Sequence, residues 1–358
     1  MAGASGELLL GGMMAGKRQH FVPQFLQRGF ASHFVGDEAF TWAHRKGAQP
    51  FNTNVKNVGV EGFFYSEGED AELDRAITGF EGEFNSLISD LRSGKAYTTV
   101  DPARIAQLLA HLEIRTRHLR QSFLETGTHL LDGLMKFASD EEVFGRYFRR
   151  AIQRDPSLMQ NALAKEMQKY CIPRQFLPQV MEMSKPLLEQ ALPETLSRMS
   201  VFAKQFRSSL PGMLKGAAKS GHIKALAGTL APESKVSRFV GLQFRVASSD
   251  DVSFPLGDSV VLFHVAGERP FKPFFEAKDE LLAVFLPLSP HHVLVGANGS
   301  YEWDSVRLRH EIARCALEHF ISSEAPPKHI DLAPVIGENA YMLSTDQIEA
   351  LVSELINN

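Results

Sequence analysis

The chain has 358 residues, 44% of them hydrophobic and 22% charged, a balance that suits one large globular domain or two ordinary ones. A net charge of -4 gives no general attraction to nucleic acid or anionic lipid, so either contact needs a local basic patch. Cys171 and Cys315, the two cysteines, are too few for a disulfide framework and read as small buried apolar residues; no disulfide-linked partner is expected, and a reducing cytoplasm fits.

Residues 1–16, MAGASGELLLGGMMAG, have no basic start, and Glu7 and glycines interrupt the apolar run. They read as a disordered leader rather than a signal peptide, with Met13 or Met14 as an alternative initiator. No stretch approaches the roughly 20 apolar residues that span a bilayer. KRQHFVPQFLQRGFA, residues 17–31, comes next. Pro23 suits a first helical position and Gly29 the position just past a helix end, which sets His20 just before a helix N-terminus. The positive end of a helix disfavours an imidazolium, so a neutral His20 could act as base, hydrogen-bond acceptor or metal ligand, with Gln24 beside it as a ligand contact. Alternatively His20 bonds nearby backbone and fixes the start of the fold.

Residues 38–66 read as β structure, EAFTWAHRKG and then VKNVGVEGFFYS. If the second piece is extended, Asn57, Gly59, Glu61, Phe63 and Tyr65 share one face, and Asn57 and Glu61 could bind a ligand or orient His20. From about 69 to 92 the period becomes helical, with Leu73, Ile77, Phe80, Phe84, Leu87, Ile88 and Leu91 on one stripe. A long helical middle runs from the N-cap pair Asp101-Pro102 to about Leu226. Pro156, Pro173, Pro178, Pro186, Pro193 and Pro211 are expected to cut it into separate helices. Within IAQLLAHLEIRTRHLRQ, residues 105–121, Arg115 lies at the edge of the apolar stripe, while His111 and His118 point further out. Such an arginine needs a carboxylate, a carbonyl or an anionic ligand, and Glu81 has the matching marginal position on the preceding helix. Residues 201–227 carry lysine and arginine but no acid; they form the solvated face of a packed helix or meet phosphates or lipid.

After Gly228 short β-rich runs follow: SRFVGLQFRVAS, DSVVLFHVAG, LLAVFLPLS and HHVLVGA. Ser248, Ser249, Asp250 and Asp251 lie beyond the first run and form either an ordinary turn or a place to hold a metal or take a proton. Ser289, His291 and His292 form a turn whose adjacent histidines make a poor chelate. Residues 303–323 read as a helix and TDQIEALVSELI as another. The fold class is therefore α+β: a mainly helical part at about 69–227, flanked by short β segments near the N-terminus and in the C-terminal third at about 236–323, with a terminal helix at about 344–357. The two β regions are expected to share one sheet, making 17–358 a single intertwined domain.

There is no Walker-type phosphate loop, dinucleotide glycine fingerprint, paired CxxC, HExxH helix or GxSxG elbow in the sequence. The pieces above nevertheless resemble, in order, an uncharacterised and mainly bacterial family known as domain of unknown function 4238. The resemblance rests on His20, Phe21, Val22, Pro23 and Gln24 leading to Leu26 and Phe30; on Glu61, Phe64 and Tyr65; on Glu81; on Arg115 and Thr116; on Ser249 and Asp250; and on the turn Pro287 to Pro290. Two departures from the pattern are the delay of a proline to Pro255 and the replacement of an asparagine around His310. The resemblance implies a residue set but no reaction, and no cofactor is implied.

Two functions compete. One is a cytoplasmic hydrolase acting on a phosphate-bearing substrate, nuclease-like or nucleotide-directed, with nucleic acid or a nucleotide as partner. There His20 is acid or base, Arg115 holds the anion, Glu61 or Asp250 orients His20 or binds a metal, and Gln24, Asn57 and Ser249 contact substrate. The other is a non-catalytic binding or regulatory module in which His20, Glu61 and Arg115 brace the N-terminal β segment onto the helices.

Overall fold

The computed structural model describes residues 18–67, 71–93, 101–341, 343 and 345–357; the leader expected at 1–16 lies outside them. Alternation in Glu38–Arg45 buries Ala39, Thr41 and Ala43 and leaves Phe40 and Trp42 partly exposed, the pattern of a strand with one covered face. In chain order the N-terminal elements are β1 (Arg18–His20), α1 (Gln24–Gln27), β2 (His33–Val35), β3 (Glu38–Arg45), β4 (Phe51–Asn54) and β5 (Val60–Gly62). Helices α2 (Glu72–Gly82), α3 (Asn85–Arg92), α4 (Pro102–Arg115), α5 (Arg117–Ser139), α6 (Glu141–Arg154), α7 (Ser157–Lys169), α8 (Leu177–Gly228) and α9 (Glu233–Phe239) follow. The C-terminal third holds β6 (Gln243–Ser248), β7 (Leu256–Gly257), β8 (Leu262–Val265), β9 (Phe271–Lys272), β10 (Leu281–Ser289), β11 (His292–Ala297), α10 (Ser305–Cys315) and β12 (His319–Ser322), before the terminal α11 (Thr345–Asn357). The class is α+β. No helix among the described residues is long and apolar enough to cross a membrane.

Two compact units emerge, one drawn from Met1–Phe123 and Ala217–Met342, the other from Leu124–Gly216 and Leu343–Asn358. In the first unit every strand pairing is antiparallel. One sheet runs β6-β11-β10-β8-β9 and a second runs β2-β3-β12-β7, with β4 on the other side of β3 and a separate ribbon of β1 with β5. The β3–β12 pairing, His319 opposite Arg45, puts the N-terminal and C-terminal β segments in one sheet. The main core of this unit gathers Leu26 and Phe30 of the N-terminal segment, Leu108 and Leu112 of α4, and Phe263 and Leu286 of the larger sheet. The second unit is helical and buries few apolar side chains, among them Leu192, Leu196, Ala203 and Leu210 of α8.

Several expectations are corrected. Val55–Asn57 is a 3-10 turn, and Gly59 and Phe63 have φ of 60° and 53°, so the alternation drawn through 55–66 is broken and only Val60–Gly62 is strand. Gly29 does not lie past a helix end but inside the 3-10 turn Arg28–Phe30 that continues α1. The helix through 105–121 breaks at Thr116, which has extended backbone, so His118 belongs to a new helix with a new phase. His111 and His118 are both buried rather than outward, because neighbours cover α4 beyond its apolar stripe: the His111 ring meets the Leu230 carbonyl on one side and Glu81 on the other.

Three of the six prolines, Pro186, Pro193 and Pro211, interrupt nothing and sit inside the 52-residue α8. Their spacings of 7 and 18 place them on one exposed face, where water can satisfy the carbonyls they leave unbonded. Residues 237–240 close α9 instead of opening a strand. The helix expected over 303–323 stops at Cys315, and His319–Ser322 is drawn into the sheet beside β3. Cys315 is buried as expected, whereas Cys171 is exposed in the turn after α7.

Candidate functional site

The β1–β5 ribbon decides which polar side chains can meet. Gln19 stands opposite Glu61, and His20 opposite Val60. Facing residues project to one side and neighbours along a strand to opposite sides, so Glu61 and His20 are on different faces of the ribbon. Glu61 instead accepts from Arg120 Nη2 at 2.8 Å and pairs with Arg117 Nε at 3.2 Å. It does not orient His20. The turn before β5 is tied to the first strand by the Gly59 carbonyl, which accepts from Phe21 N at 2.8 Å and Val22 N at 3.2 Å. A Cβ on Gly59 would stand 2.6 Å from Val22 Cβ, and its φ of 60° is a second reason for glycine. Gln27, fully buried, donates to the carbonyls of Val22 at 2.9 Å and Val58 at 3.1 Å and closes the same junction.

At the end of α4, Arg115 is only 2% exposed and its guanidinium is spent on protein partners. Nε donates to the Tyr65 hydroxyl at 3.1 Å, Nη2 donates to the His20 carbonyl, and Nη1 is ion-paired with Glu81. The Tyr65 hydroxyl stands 3.2 Å from Arg115 O and 3.3 Å from His20 O, while Tyr65 N donates to Gln19 Oε1 at 2.6 Å. Glu81 also meets His111 Nε2 at 3.1 Å. Burial lowers the His111 pKa against the opposing pull of the Leu230 carbonyl, while the Glu81 carboxylate at Nε2 favours the protonated ring, since a neutral imidazole has one N–H for the two acceptors it faces. The arginine–glutamate pairing inferred from the two helical stripes is thus the one the fold makes.

A cleft of about 720 Å³ opens beside this knot. His20 and Gln24 line it from the N-terminal segment, as do Asp74 and Glu81 from α2 and Asn85 and Arg92 from α3; Arg18, Arg28 and Arg115 complete its charges. Four arginines therefore face two carboxylates. His20 is partly exposed there, with its Nδ1 buried. Burial, and then the positive charges of Arg115 and Arg18, push the imidazole down to about 4, opposed by the Val58 backbone. Burial pushes the Asp74 carboxyl up, with Arg115 opposing.

The other expected site residues lie apart from this cleft. Asn57 does not line it but accepts from Arg18 Nη2 at 2.9 Å, steadying an arginine that does. Ser249 and Asp250 occupy the bend after β6, where Ser249 N donates to the His291 carbonyl at 3.0 Å and Ser249 Oγ accepts from Val252 N at 3.1 Å. That is turn chemistry, and neither residue lines the cleft. The fold thus brings together His20, Gln24 and Arg115, and adds Asp74, Asn85 and Arg92, which sequence reasoning missed. Asp74, Ile77, Thr78 and Glu81 recur at helical spacing along α2; a scan of its polar face would have found Asp74. Among the described residues no group of three or more His, Cys, Asp or Glu side chains is gathered so as to hold a metal ion.

No curated protein and no solved structure matches the chain. The model of one family, described as a protein of unknown function (DUF4238), matches residues 18–314, from β1 into the last turn of α10. The chain belongs to that family.

Proposed function

We propose that the protein is a hydrolase acting on a phosphate-bearing substrate held in the cleft, a nucleotide or a nucleic-acid end. The observation that carries this reading is a histidine ring lining a cleft with four arginines and two carboxylates. An anion entering the cleft would offset the arginine charges that, after burial, hold the His20 pKa down, because an opposite charge nearby favours the protonated form. His20 would then gain basicity as substrate binds and take the proton of an attacking water. Asp74, a carboxyl raised by burial in the same cleft, would return a proton to the leaving oxygen.

The test is to incubate the purified protein with nucleotides and short oligonucleotides, with and without divalent cations, and follow phosphate release and strand cleavage. Hydrolysis is expected from the wild type and a loss of at least about a hundredfold from His20→Asn, the scale of a removed acid–base catalyst. Undiminished turnover in that variant, or no turnover on any substrate, would count against the proposal.

A second reading, a non-catalytic module, is favoured by the knot at Arg115. It differs from a brace made by the histidine ring, because Arg115 and Tyr65 reach the carbonyl of His20, not its imidazole. On this reading His20→Asn melts close to the wild type and no substrate is turned over, whereas Arg115→Met unfolds the N-terminal segment.

A further inference from the structure

Arg92 closes α3 and is held by two carbonyls: Nε donates to Leu288 O at 2.7 Å and Nη2 to Leu26 O at 3.0 Å. Neither partner carries a charge, and among the described residues no carboxylate forms an ion pair with Arg92. Arg115 in the same cleft has Glu81; Arg92 has no equivalent. A guanidinium offers five N–H donors, of which two are used here, so the Nη1 pair and one hydrogen of Nη2 are left. Arg92 nevertheless lines the cleft while most of its side chain is packed away from water. Removing a cation from water without a counter-charge is costly, and the fold accommodates this one deliberately: a Cβ at Gly29 would stand 2.3 Å from Arg92 Nη2 and 2.4 Å from Leu288 O. The bare backbone at residue 29 is what leaves the guanidinium its place.

We propose that Arg92 is the oxyanion-binding residue of the cleft, gripping a phosphate group through the donors its carbonyl partners leave free, with Arg28 at the cleft rim as the second cation. This rests on the reading of the cleft as a phosphate site and moves the anion from Arg115, whose charge Glu81 already neutralises, to Arg92. Planar guanidinium donors in a fixed fork match a tetrahedral oxyanion better than a single ammonium does. A lysine at position 92 therefore keeps the charge but not the full affinity.

The experiment uses the full chain and two probes, inorganic phosphate and pyrophosphate, titrated at constant ionic strength against chloride. Binding is read as a saturable rise in melting temperature and as calorimetric Kd. Wild type is expected to bind pyrophosphate; Arg92→Gln should raise the Kd at least tenfold, Arg92→Lys by an intermediate factor, and Arg154→Gln, which removes an exposed charge outside the cleft lining, by less than threefold. Wild-type protein treated with phenylglyoxal supplies a measurement independent of any variant's folding: pyrophosphate should protect Arg92 from modification. Unchanged binding in Arg92→Gln, or modification of Arg92 at the same rate with and without pyrophosphate, overturns the role of Arg92 while leaving the cleft reading standing. Failure of the wild type to bind either probe overturns both.

Discussion

Arg115 and Arg92 line the same cleft, yet one is buried among a carboxylate, a phenol and a carbonyl, and the other between two neutral carbonyls. At the Arg115 end each guanidinium nitrogen has a protein partner, one of them a carboxylate; the charge does structural duty. At the Arg92 end charge is left over. Burial of an arginine therefore does not by itself mark a ligand site: what marks one is burial without a counter-charge beside open space. The two ends should respond differently to acid, to loss of charge and to loss of room.

Acid should have the largest effect, and it should act through the Arg115 end. His20, His44 and His222 are each held near 4 in the folded protein, first of all by burial. Each titrates near 6.5 once unfolded. A base whose pKa is depressed by folding binds its proton more readily in the unfolded chain, so stability is intact above about 6.5 and is lost as pH falls from there toward 4. His222, whose Nε2 meets the Ile114 carbonyl beside Arg115, should alone cost on the order of 1 kcal/mol one unit below its unfolded pKa. Melting temperature measured from pH 7.5 to 4 should fall steeply across this window, and His222→Gln should flatten the slope. A flat profile between pH 7 and 5 would mean that these rings are not held neutral.

Next in size is Arg115→Met. Breaking one side of a buried ion pair leaves the other charge stranded and typically costs about 3–5 kcal/mol. Denaturant unfolding should show that loss, and adding Glu81→Leu should recover part of it, since an apolar pair of similar volume strands no charge. A loss below about 1 kcal/mol in the single variant would show that solvent reaches Glu81 and screens it. Arg92→Gln should lie far below this, because the hydrogen bonds it gives up are offset by removal of an unpaired cation.

The contrast explains what could be read in the residues and what could not. The pairing of Glu81 with Arg115 was legible because both lie at the margins of regular helical stripes, where periodicity fixes direction. The Asp101-Pro102 cap and the β10–β11 hairpin were legible for similar local reasons: Asp101 accepts from Ala103 N at 2.9 Å, and LLAVFLPLS and HHVLVGA pair on either side of a short turn. Arg92 was not legible. What distinguishes it is the Leu288 carbonyl, supplied from 196 residues away, and no local pattern announces a partner that is missing. The face assignment of Asn57 and Glu61 failed because the left-handed backbone at Gly59 and Phe63 interrupts the alternation, and only the first of those is a glycine. β12 was hidden because its residues continue the apolar period of the preceding helix until pairing with β3 claims them.

Gly29→Ala is the smallest and most pointed of these changes, since it adds one methyl group at the Arg92 end and nothing at the other. The Cβ would meet Arg92 Nη2 and Cζ at 2.3 and 2.5 Å and Leu288 O at 2.4 Å. The arginine could swing aside; the carbonyl lies at the irregular end of β10, where the register with β11 shifts between Pro287 and Ser289 and the pairing with β8 has ended at Phe285. Overpacking of this kind costs about 1–3 kcal/mol, and part of the relief comes from the guanidinium. Denaturant unfolding should show that modest loss, and pyrophosphate affinity should fall together with it, because the displaced Arg92 no longer points its free donors into the cleft. In Arg115→Met combined with Glu81→Leu, by contrast, which strands no charge in the cleft, any protein that remains folded should keep its pyrophosphate affinity. If Gly29→Ala lost stability and bound pyrophosphate as tightly as the wild type, position 29 would matter only for packing, and the two arginines would differ in their partners without differing in their work.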